Sequence, residues 1–336
     1  MMSTSARSIL LCGLTGVLGL LGIACEQKQR GPARRDQPIR ILCVAPSTDD
    51  ATWPVVEACA QSFMSRFQDV QIEAIAPTTR SPMRQLEVLK TARARQAQAV
   101  CILPIDPSAI RSAVSEISVS GISVVVVGWD VPGDRRDAYC GPSQIEMGRA
   151  AAQACEIVLK DRSRTVMLLH AGMDHELYGR RFHGFKQEAP FSGPLEIIRE
   201  VDCGADRYEA VKLVRSVSRR YPRIGCWVFL DDWPLRDLRP DEQLLPLGVS
   251  IVLCGADPRH WPRLRNGEIQ ALIAYDVQEA VEAAFFRCVR LVTGEAARLE
   301  REITIPSEII TYKELPQLER RWEAWRLGQR SPRDEK

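Results

Sequence analysis

Carboxylates and aromatic residues recur at one kind of place along this chain. The apolar run Ile39–Ala45 leads to Ser47, Asp49, Asp50 and Trp53. Ile122–Gly128 leads to Trp129 and Asp130, and Ile224–Leu230 leads to Asp231, Asp232 and Trp233. Ser250–Cys254 leads to Asp257, and Ala271–Ala274 leads to Tyr275 and Asp276. Carboxylates accept hydrogen bonds from hydroxyls, and charge-assisted bonds are the stronger kind. Aromatic faces pack against the C–H faces of a sugar ring, so the mixture suits a polyhydroxy ligand. One such Asp or Ser is explained by helix capping. Five run ends of the same character point to a site.

The chemistry of catalysis is not spelled out. There is no Gly-x-Ser-x-Gly elbow, no Walker loop and no His-Glu-x-x-His. The four histidines are His170, His175, His183 and His260. His170 and His175 flank a loop, where surface or capping roles outweigh metal binding. Asp231 and Asp232 are neighbours, and adjacent side chains point apart more often than together. The reading is therefore a non-enzyme without cofactor or metal.

The elements that must hold these residues alternate. Strand-like runs are Ile39–Ala45, Val70–Ala76, Ala99–Leu103, Ile122–Gly128, Thr165–His170, Leu195–Val201, Ile224–Leu230, Ser250–Cys254 and Ala271–Ala274. Between them lie helix-period stretches, Trp53–Phe67, Met83–Ala97, Ala109–Val119, Gln144–Lys160, Tyr208–Arg220 and Gln278–Thr293. Continuous apolar strands joined by helices indicate parallel sheets covered on both faces, hence an α/β protein. Ligands in such folds bind at the carboxyl ends of the strands.

Length and composition agree. At roughly 150 residues per domain, 336 residues suggest two domains. Hydrophobic residues make up 45% and charged residues 26%, as in ordinary globular proteins. A formal charge of +2 gives no electrostatic reason to expect nucleic acid. Arg7 is the only charge before Glu26, and Ser8 to Ala24 is apolar and glycine-rich. That run is short for a membrane span, which needs about 20 apolar residues, and reads as a secretory leader over 1–24. A small residue before Cys25 is similar to the lipobox of bacterial lipoproteins, with Leu21 four residues ahead of the Cys rather than three. The resemblance implies a lipid on Cys25 and a location outside the cytoplasm, in the periplasm or on the outer face of the cytoplasmic membrane. Residues 25–38 then form a polar tether. Several of the 11 cysteines sit in apolar runs and read as small hydrophobes, with room for one or two disulfides.

From Ile39 to Lys313 the chain resembles the type I periplasmic binding proteins, in particular the ribose-binding-protein group that serves ABC transporters. Ala99–Pro132 looks like that family's third strand, helix and fourth strand, with Pro104, Asp106, Ala109, Gly121 and Ile122 in place. Asp137–Gln153 is similar to the crossing into the second lobe, and Tyr178–Phe185 to the arginine-bearing segment. Cys203–Val211, Phe229–Trp233 and Cys254–Pro258 match three further blocks in order. The resemblance implies two Rossmann-like lobes with parallel sheets joined by hinge strands. The first lobe takes 39–141 and 277–305, the second 142–276 and 306–314, and a helical tail covers 315–336.

The family's ligand contacts map onto Asp50, Trp53, Trp129, Asp130, Arg181, Asp231, Asp257 and Tyr275. Several are substitutions: Asp50 and Asp231 stand where Asn is common, Gly128 where Asp is usual, Ala205 at an aromatic position, and Tyr275 where Gln is common. The added carboxylates imply an acidic cleft suited to a cationic or amino sugar. The implied partners are a small sugar-like molecule and a membrane permease, or alternatively a sensor kinase. The tail's basic helix with Trp322 and Trp325 either meets a membrane or partner, or packs on the second lobe or frays at its end.

Overall fold

The structure is a computed structural model. It describes residues 37–329 apart from 132, 134, 161, 162, 173–175, 205, 237, 240, 241, 243, 246, 247 and 296–299. The leader, Cys25, most of the tether, His175, Ala205 and the last seven residues therefore lie outside the described residues.

Two six-stranded sheets carry the chain. The first joins β1 (Ile39–Val44), β2 (Val70–Ile75), β3 (Ala99–Ile102), β4 (Ser123–Val127), β5 (Ala138–Gly141) and β11 (Glu302–Thr304), in the order β11-β5-β4-β3-β1-β2. The second joins β6 (Thr165–His170), β7 (Glu196–Asp202), β8 (Cys226–Phe229), β9 (Ser250–Cys254), β10 (Ala271–Tyr275) and β12 (Ser307–Ile310), in the order β12-β10-β9-β8-β6-β7. All their pairings are parallel except β10 with β12.

The central strands are apolar because both faces are covered, while the edge strands β2, β7 and β11 carry charged or polar residues. On β1, Ile41 and Cys43 join one core with α1 (Trp53–Arg66) and α8 (Val277–Val292). Its alternate residues Leu42 and Val44 pack with α2 (Pro82–Lys90) and α3 (Pro107–Val119). On β6, Val166 and Leu168 face α4 (Gln144–Leu159) and α5 (Glu176–Glu188), while Met167 and Leu169 face α6 (Arg207–Arg220). Helix starts are fixed by side chains: Ser81, Asp106, Ser143, Asp206 and Asp276 each accept a hydrogen bond from the first turn that follows.

Between the two sheets the chain crosses three times: after β5, after β10, and from β11 to β12. A short α7 (Trp261–Arg265) and a final α9 (Leu315–Arg326) complete the fold. Trp322 and Trp325 are buried in α9, within the core shared by both sheets, so neither is presented to a membrane. The nine cysteines from Cys43 to Cys288 are buried free thiols, and no disulfide forms among the described residues.

Candidate functional site

A cavity opens where the carboxyl ends of strands from both sheets converge. Its empty volume is about 1010 Å³, including space open to solvent. From the first sheet come Asp50 after β1, Leu103 and Pro104 after β3, and Gly128 and Trp129 after β4. From the second come Asp231 and Asp232 after β8, Asp257 after β9, and Tyr275 closing β10. Arg181 reaches it from α5.

Charge in this cavity is matched. Asp50 holds Arg80 in an ion pair and accepts from the Thr52 N–H and hydroxyl. Arg236 donates to Asp232 through Nε at 2.9 Å, with its Nη2 at 2.7 Å. Arg259 grips Asp257 through two nitrogens, at 3.0 and 2.6 Å. Arg181 lies 4.0 Å from Asp231. Four carboxylates thus face four guanidiniums. The expectation of a negative cleft selecting a cation is corrected: Arg236 and Arg259 follow their partners in the same loops, and Arg80 and Arg181 reach theirs from other segments.

The paired acids behave oppositely. Burial and the neighbouring Asp232 charge raise the Asp231 carboxyl. Burial alone would raise Asp232 too, but Arg236 outweighs it and holds Asp232 well below the usual carboxylate range. Burial and the facing Arg236 guanidinium lower Arg80 despite its Asp50 partner. His260 is fully buried with Nε2 3.4 Å from the Asp232 carboxylate, outside hydrogen-bond alignment.

Arg181 is locked from behind. Its Nε donates to Gln144 Oε1 at 2.9 Å and its Nη1 to the Leu230 carbonyl. Gln144 Nε2 in turn donates to the Pro142 carbonyl at 3.1 Å and reaches the Gly128 carbonyl at 3.3 Å. The Tyr139 hydroxyl donates to those same two carbonyls. A chain of hydrogen bonds therefore runs from the cleft arginine to the first crossing between the sheets.

Gly128 and Tyr275 fit each other. Gly128 has φ +77°, and a Cβ there would lie 2.6 Å from the Tyr275 hydroxyl oxygen. The side chain absent at 128 leaves the space that Tyr275 fills. Burial pushes the Tyr275 phenol up to about 12, so it stays a neutral donor and acceptor.

Six of the residues expected at the site line this cavity: Asp50, Trp129, Arg181, Asp231, Asp257 and Tyr275. Trp53 and Asp130 do not. Trp53 opens α1, where its ring packs on the large core. The Asp130 carboxylate is held by Arg136, with Nη2 at 2.7 Å. Sequence reasoning missed Arg80, Arg236, Gln144 and Trp322, all of which line the cavity or brace it. Arg80 and Gln144 meet Asp50 and Arg181 across distant segments, so no local pattern marks them, whereas Arg236 lies four residues after Asp232 and could have been read from that spacing. Asp232 was visible as the second acid of the Asp-Asp pair. Among the described residues no cluster of His, Cys, Asp and Glu suits a metal, and no helix is long and apolar enough to cross a membrane.

A family model described as the periplasmic binding protein domain matches residues 41–296. No curated protein sequence matches the chain. Among similar solved structures is GanP, a glucose-galactose binding protein from Geobacillus stearothermophilus, at 19% identity and TM-score 0.69, covering 83% of this chain and 99% of that one. Another is an ABC transporter solute binding protein from Agrobacterium vitis bound with alpha-D-tagatopyranose, at 16% identity and TM-score 0.67, covering 82% and 96%. A myo-inositol binding protein from Caulobacter, bound to myo-inositol, has 17% identity and TM-score 0.64, covering 85% and 98%.

Proposed function

Because the chain belongs to the periplasmic binding protein domain family, we propose that it is an extracytoplasmic solute-binding protein whose two lobes close on a sugar or sugar-like polyol. That family is one of binding proteins, not enzymes. The observation that carries the ligand class is the cavity itself: each of its four lining carboxylates has a guanidinium beside it, and Trp129 and Tyr275 stand on its walls. Such a lining offers many hydrogen bonds to hydroxyls and no excess charge to attract an ion. The sugars and inositol named with the similar structures support the same class.

On this reading 39–141 with 277–305 form one lobe, and 142–276 with 306–314 the other, hinged at the three crossings. Asp50, Arg181, Asp231, Asp257 and Tyr275 orient the ligand, and Trp129 supplies apolar area. Ligand favours closure only through contacts that improve in the closed state. A lipid on Cys25 would hold the protein at the membrane, where an ABC permease reads the closed form. The leader and the Ala24–Cys25 junction support this. Metabolic labelling with palmitate should mark the exported protein and should fail to mark Cys25→Ser; equal labelling of both would remove the anchor.

A thermal-shift screen with D-galactose, D-glucose, D-tagatose, D-arabinose and myo-inositol tests the ligand class. A true ligand at about 100 times its dissociation constant adds about 2.7 kcal/mol to stability. The shift should vanish in Arg181→Ala. Silence across the panel would count against a sugar.

A further inference from the structure

The final helix belongs to neither lobe alone. α9 begins after β12 of the second sheet and packs against α1, which flanks the first. Toward the second lobe, Trp322 meets Trp261 of α7 edge-on, with centroids 5.8 Å apart at 87°. Glu319 pairs with Arg265, also of α7, and Arg321 pairs with Glu308 of β12 through both nitrogens, at 2.8 and 3.0 Å. Toward the first lobe, Gln278 Nε2 of α8 donates to the Gln329 carbonyl at 2.8 Å. Gly328, at φ +68°, comes so near α1 that a Cβ would lie 3.3 Å from the Ala58 carbonyl. Trp325 is fully buried in the core that includes α1 residues. Between these two docks, Leu318 and Trp322 line the cavity.

A helix fixed to both lobes cannot follow both when they separate. It either holds them together or lets one go. The family match ends at residue 296, so this helix lies beyond the part that the family model describes. The two docks differ in kind: the first-lobe dock holds the C-terminal end of the helix, and there α9 packs closely on α1. That dock rests on packing, one hydrogen bond to a backbone carbonyl, and a buried Trp325 indole N–H that finds no acceptor. The second-lobe dock carries two ion pairs and covalent continuity with β12.

We propose that α9 is a strap across the cleft. It holds the ligand-free lobes toward the closed arrangement, releases its first-lobe end when they open, and offers Trp322 as part of the wall that a ligand meets. The strap rests on the reading that the lobes hinge, but not on what the ligand is.

The test therefore needs no ligand. Small-angle scattering is recorded on the ligand-free protein, on Ala58→Arg, which wedges α1 away from Gly328, and on a chain ended after Leu327. Ser112→Arg, an exposed change of the same charge on α3, is the control. The wild type and the control should follow the curve calculated from this structure. Both strap variants should show a larger radius of gyration with unchanged circular dichroism, the open share rising about tenfold for a loss of about 1.4 kcal/mol. Identical scattering from all four proteins would overturn the proposal, as would a wild type already more extended than this structure. If Ala58→Arg does not fold, the shortened chain decides. If the shortened chain does not fold either, α9 is a fixed part of the core and not a strap. Silence in the sugar screen would leave a scattering difference intact, so the two claims fail separately.

Discussion

At the scale of single residues, the site is an exercise in neutralisation. Asp50, Asp231, Asp232 and Asp257 were legible as acids after strands, but their net effect was not, because Arg80 and Arg181 reach Asp50 and Asp231 from other segments. The departures at 128 and 275 could be seen in the sequence; only coordinates show that the tyrosine hydroxyl occupies what glycine leaves free. Tyr275→Phe should keep the fold and weaken ligand binding by about 1 kcal/mol, the worth of one neutral hydrogen bond, measured by calorimetry. Asp276 gives a pH-dependent prediction. It caps α8 by accepting from the Glu279 N–H, and burial pushes its carboxyl up to about 6. The folded protein thus binds a proton there more tightly than the unfolded chain, whose ordinary value is 3.8. This group's contribution to stability is present at acid pH and is lost as pH rises through about 6. Asp276→Asn keeps a capping oxygen without the charge. In urea unfolding it should exceed the wild type by about 1–3 kcal/mol at pH 7.5 and match it near pH 4.

At the scale of elements, the strands read most plainly were those buried on both faces, such as the β4 run SVVVV, and the longer edge strands β2 and β7 were read as well. The ones missed were three or four residues long. β5 is four residues ending in glycine, β11 reads EIT with exposed ends, and β12 is an antiparallel edge partner of β10. These carry two of the three crossings, so the crossings were legible through resemblance and not through periodicity. Trp53 was drawn toward the site by the same resemblance, yet α1 turns its ring to the core. Helices α4 and α5 meet through glycines: a Cβ on Gly148 would lie 1.9 Å from the Arg181 carbonyl oxygen, and one on Gly184 2.0 Å from that of Ile145. Backbone cannot yield as a side chain can, so Gly148→Ala should cost about 3 kcal/mol or more in urea unfolding. It should also weaken ligand binding, since the displaced carbonyl belongs to Arg181. A neutral effect would mean that the helices slide freely.

At the scale of the whole molecule, two sheets, three crossings and a shared cavity are the parts of the proposed clamp. The architecture was legible because order and spacing of blocks survive substitution of individual contacts. The tail was legible only in part: LERRWEAWRLGQR reads as a basic helix, and only packing shows both tryptophans turned inward. The central claim is that this clamp binds a sugar-like polyol and returns it unchanged. It is tested most directly by calorimetric titration with the sugar that gives the largest thermal shift, followed by chromatography of the recovered ligand. The account predicts saturable binding of one ligand per chain, weakened by about 2–5 kcal/mol in Arg181→Ala, with the sugar recovered intact. Binding that Arg181→Ala leaves unaltered, or a sugar recovered as a different compound, would contradict it.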